Sequence, residues 1–458
     1  MKGVSQPFHA VMLPWLGFGH ICPFIQLSNL LVEHGITVTF LSPPTLVPKI
    51  RPSLHPSIPI VSYDLPPITG LPLGVESTAS ALSMRLLLME ALDASEPQIS
   101  NILCKLSPEV IIFDFVYHWI PPLACSLGIK PVLYYIAAAI SAMPMKIFTV
   151  LHPRKLALTV SERLPVRFVS AITSLKPYEA RDLLQNLRKH HNSGMSPCSR
   201  MLAVMALSSA IIIKSAMEIE DTYIKFFSSL TGKQVLPCGA LMSKSPRGEL
   251  EERWQQWLNK FPVGSVVFCS FGSEVCFTNE QILELIAGLE MSGAPFLAVL
   301  NFTASGEHAA KQEIVGERMG GKGMVHAGWV QQQHILRHPS VGVHISHGGL
   351  STMMEGVAGG CQTVLIQQTA DQFMNAKLMV KRLKAGVAVK RRSKDGWFTR
   401  EAVCEALRMV TENDGEKTKK IRANNAKLRE FLLNESVQQE YIRTVIGKLQ
   451  ELVLSQSC

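Results

Sequence analysis

Two hydrophobic patterns alternate along the chain: short apolar runs, which are typical of buried strands, and longer stretches with helical spacing. In the first half, strands are predicted at residues 8–14, 36–41, 110–113 and 132–136. The first strand leads into a glycine-containing turn at residues 15–20, and a helix follows with Phe24, Leu27 and Leu31 on one face. Strands that alternate with helices in this way favour a parallel sheet with right-handed crossovers.

The second half repeats this alternation without a detectable sequence repeat. Its strands are predicted at residues 265–270, 296–300, 341–345 and 363–366. Thr278 and Gln281 have the spacing of a capping box that opens a helix. Residues 239–249, between the halves, form a polar segment with proline and glycine, which is typical of a linker. The pattern therefore predicts an α/β protein with two domains.

Composition narrows the class of protein. A chain of 458 residues can form two domains with a core each, and 47% hydrophobic with 18% charged residues is a globular composition. The ten cysteines include no C-x-x-C pair, so neither a zinc site nor a disulfide framework is indicated. The formal net charge is +9, but basic residues are concentrated only at residues 381–394, without a nucleic-acid motif. A solvated basic surface is therefore favoured over a nucleic-acid site.

Targeting and membrane segments are not expected. The N-terminus leads directly into a strand and lacks the long apolar core of a signal peptide. The longest apolar run, around residues 132–145, is too short to span a bilayer and contains Pro144. The cytoplasm is therefore the expected compartment.

The main group of candidate functional residues begins at the predicted strand 341–345. His347-Gly348-Gly349 interrupts this strand, and Ser351 or Thr352 can cap a helix that continues through Glu355. The backbone N–H groups at a helix start carry partial positive charge, which suits a phosphate. The sequence therefore predicts a phosphate-binding turn here.

Residues on both sides of this turn suit the other parts of a nucleotide sugar. Trp329 offers a flat face for a base, and Glu355 can accept hydrogen bonds from ribose hydroxyls. Asp371 and Gln372 can make similar hydrogen bonds to a sugar.

This stretch resembles the signature of plant UDP-dependent glycosyltransferases of family 1, approximately W-x-P-Q, then H-C-G-W-N-S-x-x-E, then D-Q. The matching residues are Trp329, Gln332, His347, Gly349, Glu355, Asp371 and Gln372. The chain departs from the pattern at Gln331, Gly348, Leu350 and Ser351, where the family has Pro, Cys, Trp and Asn. A residue other than tryptophan at position 350 is similar to the branch that adds a sugar to a flavonoid or anthocyanin glycoside.

The resemblance implies the GT-B fold, in which two Rossmann-like domains face each other across a cleft. The expected parts are an acceptor domain at 1–240, a linker at 241–250, a UDP-sugar domain at 251–438, and a helix at 439–458 that crosses back. The expected donor-binding residues are Ser273, Trp329, Val330, Gln332, His347, Gly349, Leu350, Ser351, Thr352, Glu355, Asp371 and Gln372. The expected partners are a UDP-sugar and a phenolic glycoside, and the expected state is a monomer without nucleic-acid or membrane partners.

The candidate catalytic residues are His20 and Asp114. His20 is predicted on the turn after the first strand, where a histidine is a suitable base for a hydroxyl. Asp114 directly follows the strand 110–113, where a carboxylate can fix the imidazole tautomer and stabilise the imidazolium. Both match the family's base and its charge-relay aspartate, whereas the nearby His118 has no family counterpart as a base.

No D-x-D pair is placed to hold a metal ion against a diphosphate, so we expect neither a metal nor another cofactor. His347 and backbone N–H groups would stabilise the leaving UDP instead. The predicted function is an inverting UDP-glycosyltransferase that acts on a sugar hydroxyl of a phenolic glycoside. Acceptor contacts are expected from residues 65–88 and 137–197, with residues 137–139 (three alanines) as a roomy wall.

Three alternatives remain. The same chemistry can act on an aglycone hydroxyl, or the chain can bind a nucleotide sugar without catalysis. A dehydrogenase is disfavoured because residues 16–20 lack the third glycine of G-x-G-x-x-G. Glucose, xylose, rhamnose and arabinose all remain as donor sugars, since single groups contribute only ~1–3 kcal/mol of discrimination.

Overall fold

The computed structural model describes residues 8–78, 82–142, 175–189, 195–242, 248–272, 275–301, 314–412 and 415–455. These divide into two compact units. As far as residues are described, the first unit comprises Met1–Leu156, Leu184–Leu241 and Glu435–Cys458, and the second comprises Ala157–Leu183 and Met242–Asn434. In the described part of the chain, each unit has one seven-stranded sheet.

The sheet of the first unit is parallel throughout. Its strands are β1 (His9–Leu13), β2 (Thr37–Ser42), β3 (Ile60–Ser62), β4 (Val110–Phe113), β5 (Lys130–Tyr135), β6 (Ala210–Ile213) and β7 (Val235–Pro237). Their order is β3-β2-β1-β4-β5-β6-β7. The order reverses between β1 and β4, which makes this crevice the topological switch point where ligands of such sheets bind.

The sheet of the second unit has the same design. Its strands are β8 (Val266–Ser270), β9 (Phe296–Leu300), β10 (Gly316–Arg318), β11 (Gly323–Ala327), β12 (Val341–Ser346), β13 (Gln362–Leu365) and β14 (Gly386–Ala388). Their order is β10-β11-β9-β8-β12-β13-β14, and only β10 pairs antiparallel to its neighbour. The switch point lies between β8 and β12.

Helices connect these strands. They are α1 (Phe18–Glu33), α2 (Val47–Ile50), α3 (Arg85–Ala94), α4 (Glu96–Leu106), α5 (Ile120–Ser126), α6 (Pro177–Arg188), α7 (Pro197–Leu207), α8 (Met217–Thr231), α9 (Glu252–Leu258), α10 (Asn279–Ser292), α11 (Gln332–Arg337), α12 (Leu350–Ala358), α13 (Gln372–Lys377), α14 (Arg400–Thr411), α15 (Glu416–Leu433) and α16 (Glu435–Leu454). Single 3₁₀ turns span Pro44–Leu46, Arg51–Ser53, Leu82–Met84 and Met319–Gly321, and a π turn spans Leu378–Leu383. Across the described residues, no helix combines the length and apolarity needed to cross a bilayer.

Both faces of the second sheet are covered. Val266 and Phe268 on β8 pack into a cluster with Trp254, whereas Val267 and Cys269 pack into a second cluster with Leu285. Successive side chains of a strand point to opposite faces, so the apolar run of β8 reflects burial on both sides. The continuous apolar runs that predicted the central strands have this origin.

The predicted strands are confirmed within two residues at either end. The capping box is confirmed as well, since Thr278 Oγ1 accepts from the Gln281 N–H at 3.3 Å and Gln281 Oε1 accepts from the Thr278 N–H at 3.1 Å. The last helix begins at Glu435. Residues 243–247 of the predicted linker and Ser273 lie outside the described residues.

Candidate active site

The candidate catalytic residues lie at the switch point of the first sheet. β1 and β4 run parallel with Leu13 opposite Phe113, so the residues after both strands meet at one edge. Asp114 directly follows β4. The prediction that His20 lies on a turn is wrong, because α1 begins at Phe18 and His20 occupies its first helical turn.

The His20 side chain is oriented by Asp114. The Nδ1 atom of His20 lies 2.7 Å from Oδ2 of Asp114. The same carboxylate accepts from the backbone N–H of Trp15 at 3.2 Å and of Phe115 at 2.8 Å. Since a carboxylate offers only acceptors, Nδ1 of His20 carries the proton and the lone pair is on Nε2. The Asp114 side chain is 2% exposed and the His20 side chain is 23% exposed, so the carboxylate is buried while the imidazole is partly accessible to solvent.

A second histidine, His118, lies beside a buried cation. The Nδ1 atom of His118 lies 3.0 Å from the Nη1 atom of Arg200, whose guanidinium is 1% exposed and is paired with Asp93. An oxygen of Asp93 lies 3.6 Å from the same Nδ1 atom. Burial, together with the Arg200 charge, lowers the pKa of His118. Of these two histidines, only His20 has its Nδ1 atom within hydrogen-bond distance of a carboxylate.

The predicted alanine wall is smaller than expected. Ala138 and Ala139 are fully buried, and only Ala137 is partly exposed. The backbone N–H groups of Ala139 and Ile140 both donate to the buried Glu220 carboxylate at 3.0 Å. This short segment is therefore held by a polar core contact, and one alanine side chain remains to meet an acceptor.

In the second unit, the predicted phosphate-binding turn follows β12. The prediction that Ser351 or Thr352 caps the helix is wrong, because Gly349 is the N-cap and both hydroxyl residues lie in the first turn of α12. The N-cap provides no side-chain hydrogen bond. A helix start without a capping side chain suits an anion.

His347 fits closely against the glycines of the two turns at the switch point. A Cβ atom on Gly349 would lie 2.6 Å from Nε2 of His347, and one on Gly272 would lie 3.1 Å from its Cε1. Burial lowers the pKa of His347 to about 4, so its ring is neutral at neutral pH. A neutral imidazole can donate one hydrogen bond to a phosphate oxygen without adding a full charge.

Glu355, which is predicted to bind ribose, is held by two amide side chains. Its Oε2 accepts from Gln332 at 2.9 Å, and its Oε1 accepts from Gln333 at 2.8 Å. Gln332 and Glu355 are 23 residues apart and both belong to the predicted signature. Gln333 is a site residue that sequence reasoning missed, because the family pattern specifies only its neighbour.

The predicted base platform, Trp329, is 77% exposed, whereas the adjacent Val330 is buried. Gln331 has a φ of −73°, close to the value that the family's proline would impose. Its side-chain amide donates to the Glu249 carbonyl at 2.8 Å and accepts from the Glu251 N–H at 2.6 Å. The departure at Gln331 therefore keeps the backbone geometry and adds two contacts to the segment before α9.

The D-Q pair lies at the start of α13, with Asp371 as N-cap. Gln372 Oε1 accepts from the backbone N–H groups of Gln368 and Thr369 at 2.9 and 3.1 Å, so only its amide nitrogen can serve a ligand. The fully buried Asn375, which sequence reasoning missed, donates to the Gly348 carbonyl at 3.0 Å and to Asp371 at 2.9 Å. Asn375 thus couples the predicted phosphate turn to the predicted sugar loop.

Leu350 departs from the family tryptophan. Its side chain is 7% exposed, so it has little surface to offer a sugar.

Residues 228–425 match the family model described as UDP-glucoronosyl and UDP-glucosyl transferase. The anthocyanidin-3-O-glucoside rhamnosyltransferase of Petunia hybrida is 39% identical to the chain over 461 residues, covering 98% of the chain and 97% of that protein. The cyanidin 3-O-galactoside 2''-O-xylosyltransferase of Actinidia chinensis var. chinensis is 38% identical to the chain, and the match covers 98% of the chain and 99% of that protein. The crystal structure of Glycyrrhiza uralensis UGT73P12 with glycyrrhetinic acid 3-O-monoglucuronide has a TM-score of 0.79 at 20% identity, covering 98% and 97%.

Two Rossmann-like sheets with candidate site residues at each switch point are typical of nucleotide-sugar glycosyltransferases. The chain belongs to the UDP-glucoronosyl and UDP-glucosyl transferase family. It is therefore a UDP-dependent glycosyltransferase, and the predicted family, fold class and enzyme class are confirmed.

Proposed function

We propose that this enzyme transfers a sugar from a UDP-sugar, with inversion, to a sugar hydroxyl of a flavonoid or other phenolic glycoside. The observation that carries the catalytic part is the hydrogen bond of 2.7 Å between His20 and Asp114. The acceptor class is supported by relatives whose names specify an anthocyanidin-3-O-glucoside and a cyanidin 3-O-galactoside as acceptors.

In the proposed reaction, Nε2 of His20 takes the proton of the acceptor hydroxyl. The acceptor oxygen then attacks the anomeric carbon of the donor sugar while the bond from that carbon to the UDP oxygen breaks. The electron pair of the broken bond leaves with UDP, and Asp114 stabilises the imidazolium that forms. A single displacement inverts the anomeric configuration.

The second unit supplies the donor contacts in this proposal. Trp329 stacks on the base, and Glu355 accepts hydrogen bonds from the ribose hydroxyls. His347 donates a hydrogen bond to a phosphate oxygen, and the start of α12 adds its positive dipole end. Asp371 and the Gln372 amide nitrogen contact the sugar. We further propose that no metal ion is required.

The test uses the purified full-length chain with UDP-glucose, UDP-rhamnose, UDP-xylose and UDP-arabinose. Each donor is paired with a flavonoid 3-O-glucoside and with its aglycone, and products are identified by mass and by glycosidic linkage. We expect much higher kcat/KM for the glucosides, with the new sugar attached to the existing one, because a loosely held aglycone keeps its nucleophile away from the ~3–3.5 Å attack distance.

Two outcomes would contradict the acceptor assignment. One is an aglycone that reacts as well as its glucoside. The other is a product with sugars on two separate ring positions. In either case, the enzyme would use the same chemistry on an aglycone hydroxyl.

A further inference from the structure

The loop that leads to the D-Q pair has an unfavourable backbone conformation. Ala370 has a φ of +52°, in the left-handed region that residues with a Cβ atom rarely adopt. Asp371 and Gln372 follow directly. A conformation of this kind persists only where surrounding contacts hold it, so the orientation of the D-Q pair depends on what stabilises this loop.

Asp182 on α6 provides this stabilisation. Its Oδ2 atom accepts from the Thr369 hydroxyl at 2.8 Å and from the Ala370 N–H at 2.9 Å. Hydrogen bonds to an ionised acceptor are among the stronger ones in proteins. The carboxylate therefore binds the two residues that immediately precede the predicted sugar-binding pair.

The first turns of α6 are anchored beside this loop by three more contacts. The buried Glu179 pairs with Lys377 at 3.2 Å. Lys176 Nζ donates to the Arg391 carbonyl at 2.9 Å, and the Tyr178 ring lies 5.7 Å from the Phe373 ring in an edge-on arrangement. Because α6 is fixed against α13 and the segment after β14, Asp182 approaches the loop as part of a rigid element.

We propose that Asp182 is a positioning residue that holds the loop at Thr369 and Ala370 and thereby sets how Asp371 and Gln372 meet the donor sugar. This inference rests on the proposed function of that pair. Gln372 holds the same loop through the N–H groups of Gln368 and Thr369. Loss of Asp182 would remove the carboxylate that accepts from Thr369 and Ala370, so contacts to the sugar should loosen while contacts to UDP remain.

The test compares Asp182→Ala and Asp182→Asn with Arg181→Gln, an exposed charge change on the same helix. The affinities of UDP and of UDP-glucose are measured by calorimetry, and kcat and KM are measured for each accepted UDP-sugar. For Asp182→Ala we expect the affinity advantage of UDP-glucose over UDP to fall about tenfold or more, the range for hydrogen bonds to a charged group. UDP affinity and acceptor KM should remain near wild type.

Asp182→Asn should lose less of the affinity advantage of UDP-glucose than Asp182→Ala, because its carbonyl oxygen can still accept both hydrogen bonds. Thr369→Val, which removes one of the two donors, should act in the same direction and serves as a second variant if Asp182→Ala does not fold. The kcat/KM ratios among UDP-sugars should shift in Asp182→Ala and stay constant in Arg181→Gln.

An unchanged advantage of UDP-glucose over UDP in folded Asp182 variants would overturn the proposal. An equal loss for UDP and UDP-glucose would also overturn it, because that pattern indicates general destabilisation. If the wild-type chain bound UDP-sugars without transferring sugar, the proposed function would fail. The calorimetric comparison would still decide the role of Asp182.

Discussion

The substitution Asp114→Asn tests the catalytic assignment most directly, because it changes one atom of the buried acceptor. In the native chain, Oδ2 of Asp114 accepts hydrogen bonds from His20 Nδ1 and from the Trp15 N–H. Its Oδ1 accepts from the Phe115 N–H at 2.8 Å. A carboxamide has one oxygen and one NH2 group, so it cannot accept on both sides. The carboxamide of the variant can therefore adopt either of two orientations, but it cannot satisfy both sides at once.

Each orientation of the carboxamide weakens the base in a different way. With its oxygen towards Phe115, the NH2 group faces His20 and donates to Nδ1, which moves the imidazole proton to Nε2 and removes the base. With its oxygen towards His20, the tautomer is kept, but the Phe115 N–H loses its acceptor at a cost of about 1–3 kcal/mol. In both orientations, the negative charge that stabilises the imidazolium is lost.

The expected loss of turnover is therefore large but incomplete. His20→Ala should lower kcat by about 10²–10⁴-fold, the range for a positioned acid or base. Asp114→Asn should act in the same direction and retain more activity, since part of the population keeps the correct tautomer. The double variant should be no slower than His20→Ala alone, because Asp114 acts through His20.

The assay measures kcat at saturating UDP-sugar and acceptor, with UDP affinity measured separately by calorimetry. UDP affinity should stay near wild type in all three variants. His118→Gln is the matched control, because burial and the Arg200 charge lower the pKa of His118, so it should contribute little to proton removal. Wild-type turnover in Asp114→Asn, or independent multiplying losses in the double variant, would refute the reasoning.

Other predictions concern the nucleotide, the metal and the pH dependence of stability. Trp329→Ala should weaken UDP binding by about 5- to 150-fold, from stacking worth ~1–3 kcal/mol, and Glu355→Ala should weaken it too; equal affinities in both variants and wild type would contradict the donor assignment. Chelators should leave turnover unchanged, and strict dependence on a divalent metal would count against the mechanism. Burial lowers the pKa of His344 to about 3 and of His347 to about 4. As the pH falls, these histidines are protonated in the unfolded chain near pH 6.5, before they are protonated in the folded chain. The free energy of unfolding should therefore fall below pH 6.5 by about 1.4 kcal/mol per pH unit for each histidine, as the pH drops towards 4. Urea unfolding at pH 7.5 and 5.5 checks this slope, which should be smaller in His344→Gln.

The sequence predicted eight of the fourteen strands in the described residues, and it missed the four edge strands and the inner strands β6 and β11. β1 and β8 are mostly apolar because both faces of their sheets are covered. In β12, the apolar residues Val341, Val343 and Ile345 alternate with Gly342, His344 and Ser346. The edge strands Ile60–Ser62, Val235–Pro237, Gly316–Arg318 and Gly386–Ala388 have three residues each, too few to show a period. Helix starts were also misjudged, because Phe18 and Leu350 begin helices directly after glycines without a capping side chain.

The candidate site was predicted in part. The signature residues Gln332 and Glu355 could both be assigned to the donor site from the family pattern, and His20 and Asp114 could each be placed beyond a strand. Gln333 and Asn375 carried no such signal, because single amide side chains have no recognisable spacing. The family resemblance favoured His20 over His118 as the base, and the structure adds the hydrogen-bond partner of each ring.

The sequence by itself determined the strand–helix order, the two-domain architecture and the family, because apolar periodicity and a dense local signature are properties of neighbouring residues. Only the tertiary structure decided contacts between residues far apart in the chain. The parallel register of β1 and β4 joins His20 to Asp114 across 94 positions, and Arg200 contacts His118 across 82. Asp182 reaches Thr369 across 187 positions, although its own surroundings in the sequence are those of an ordinary polar helix face. Such partners follow from strand order and packing, which local residue patterns do not specify.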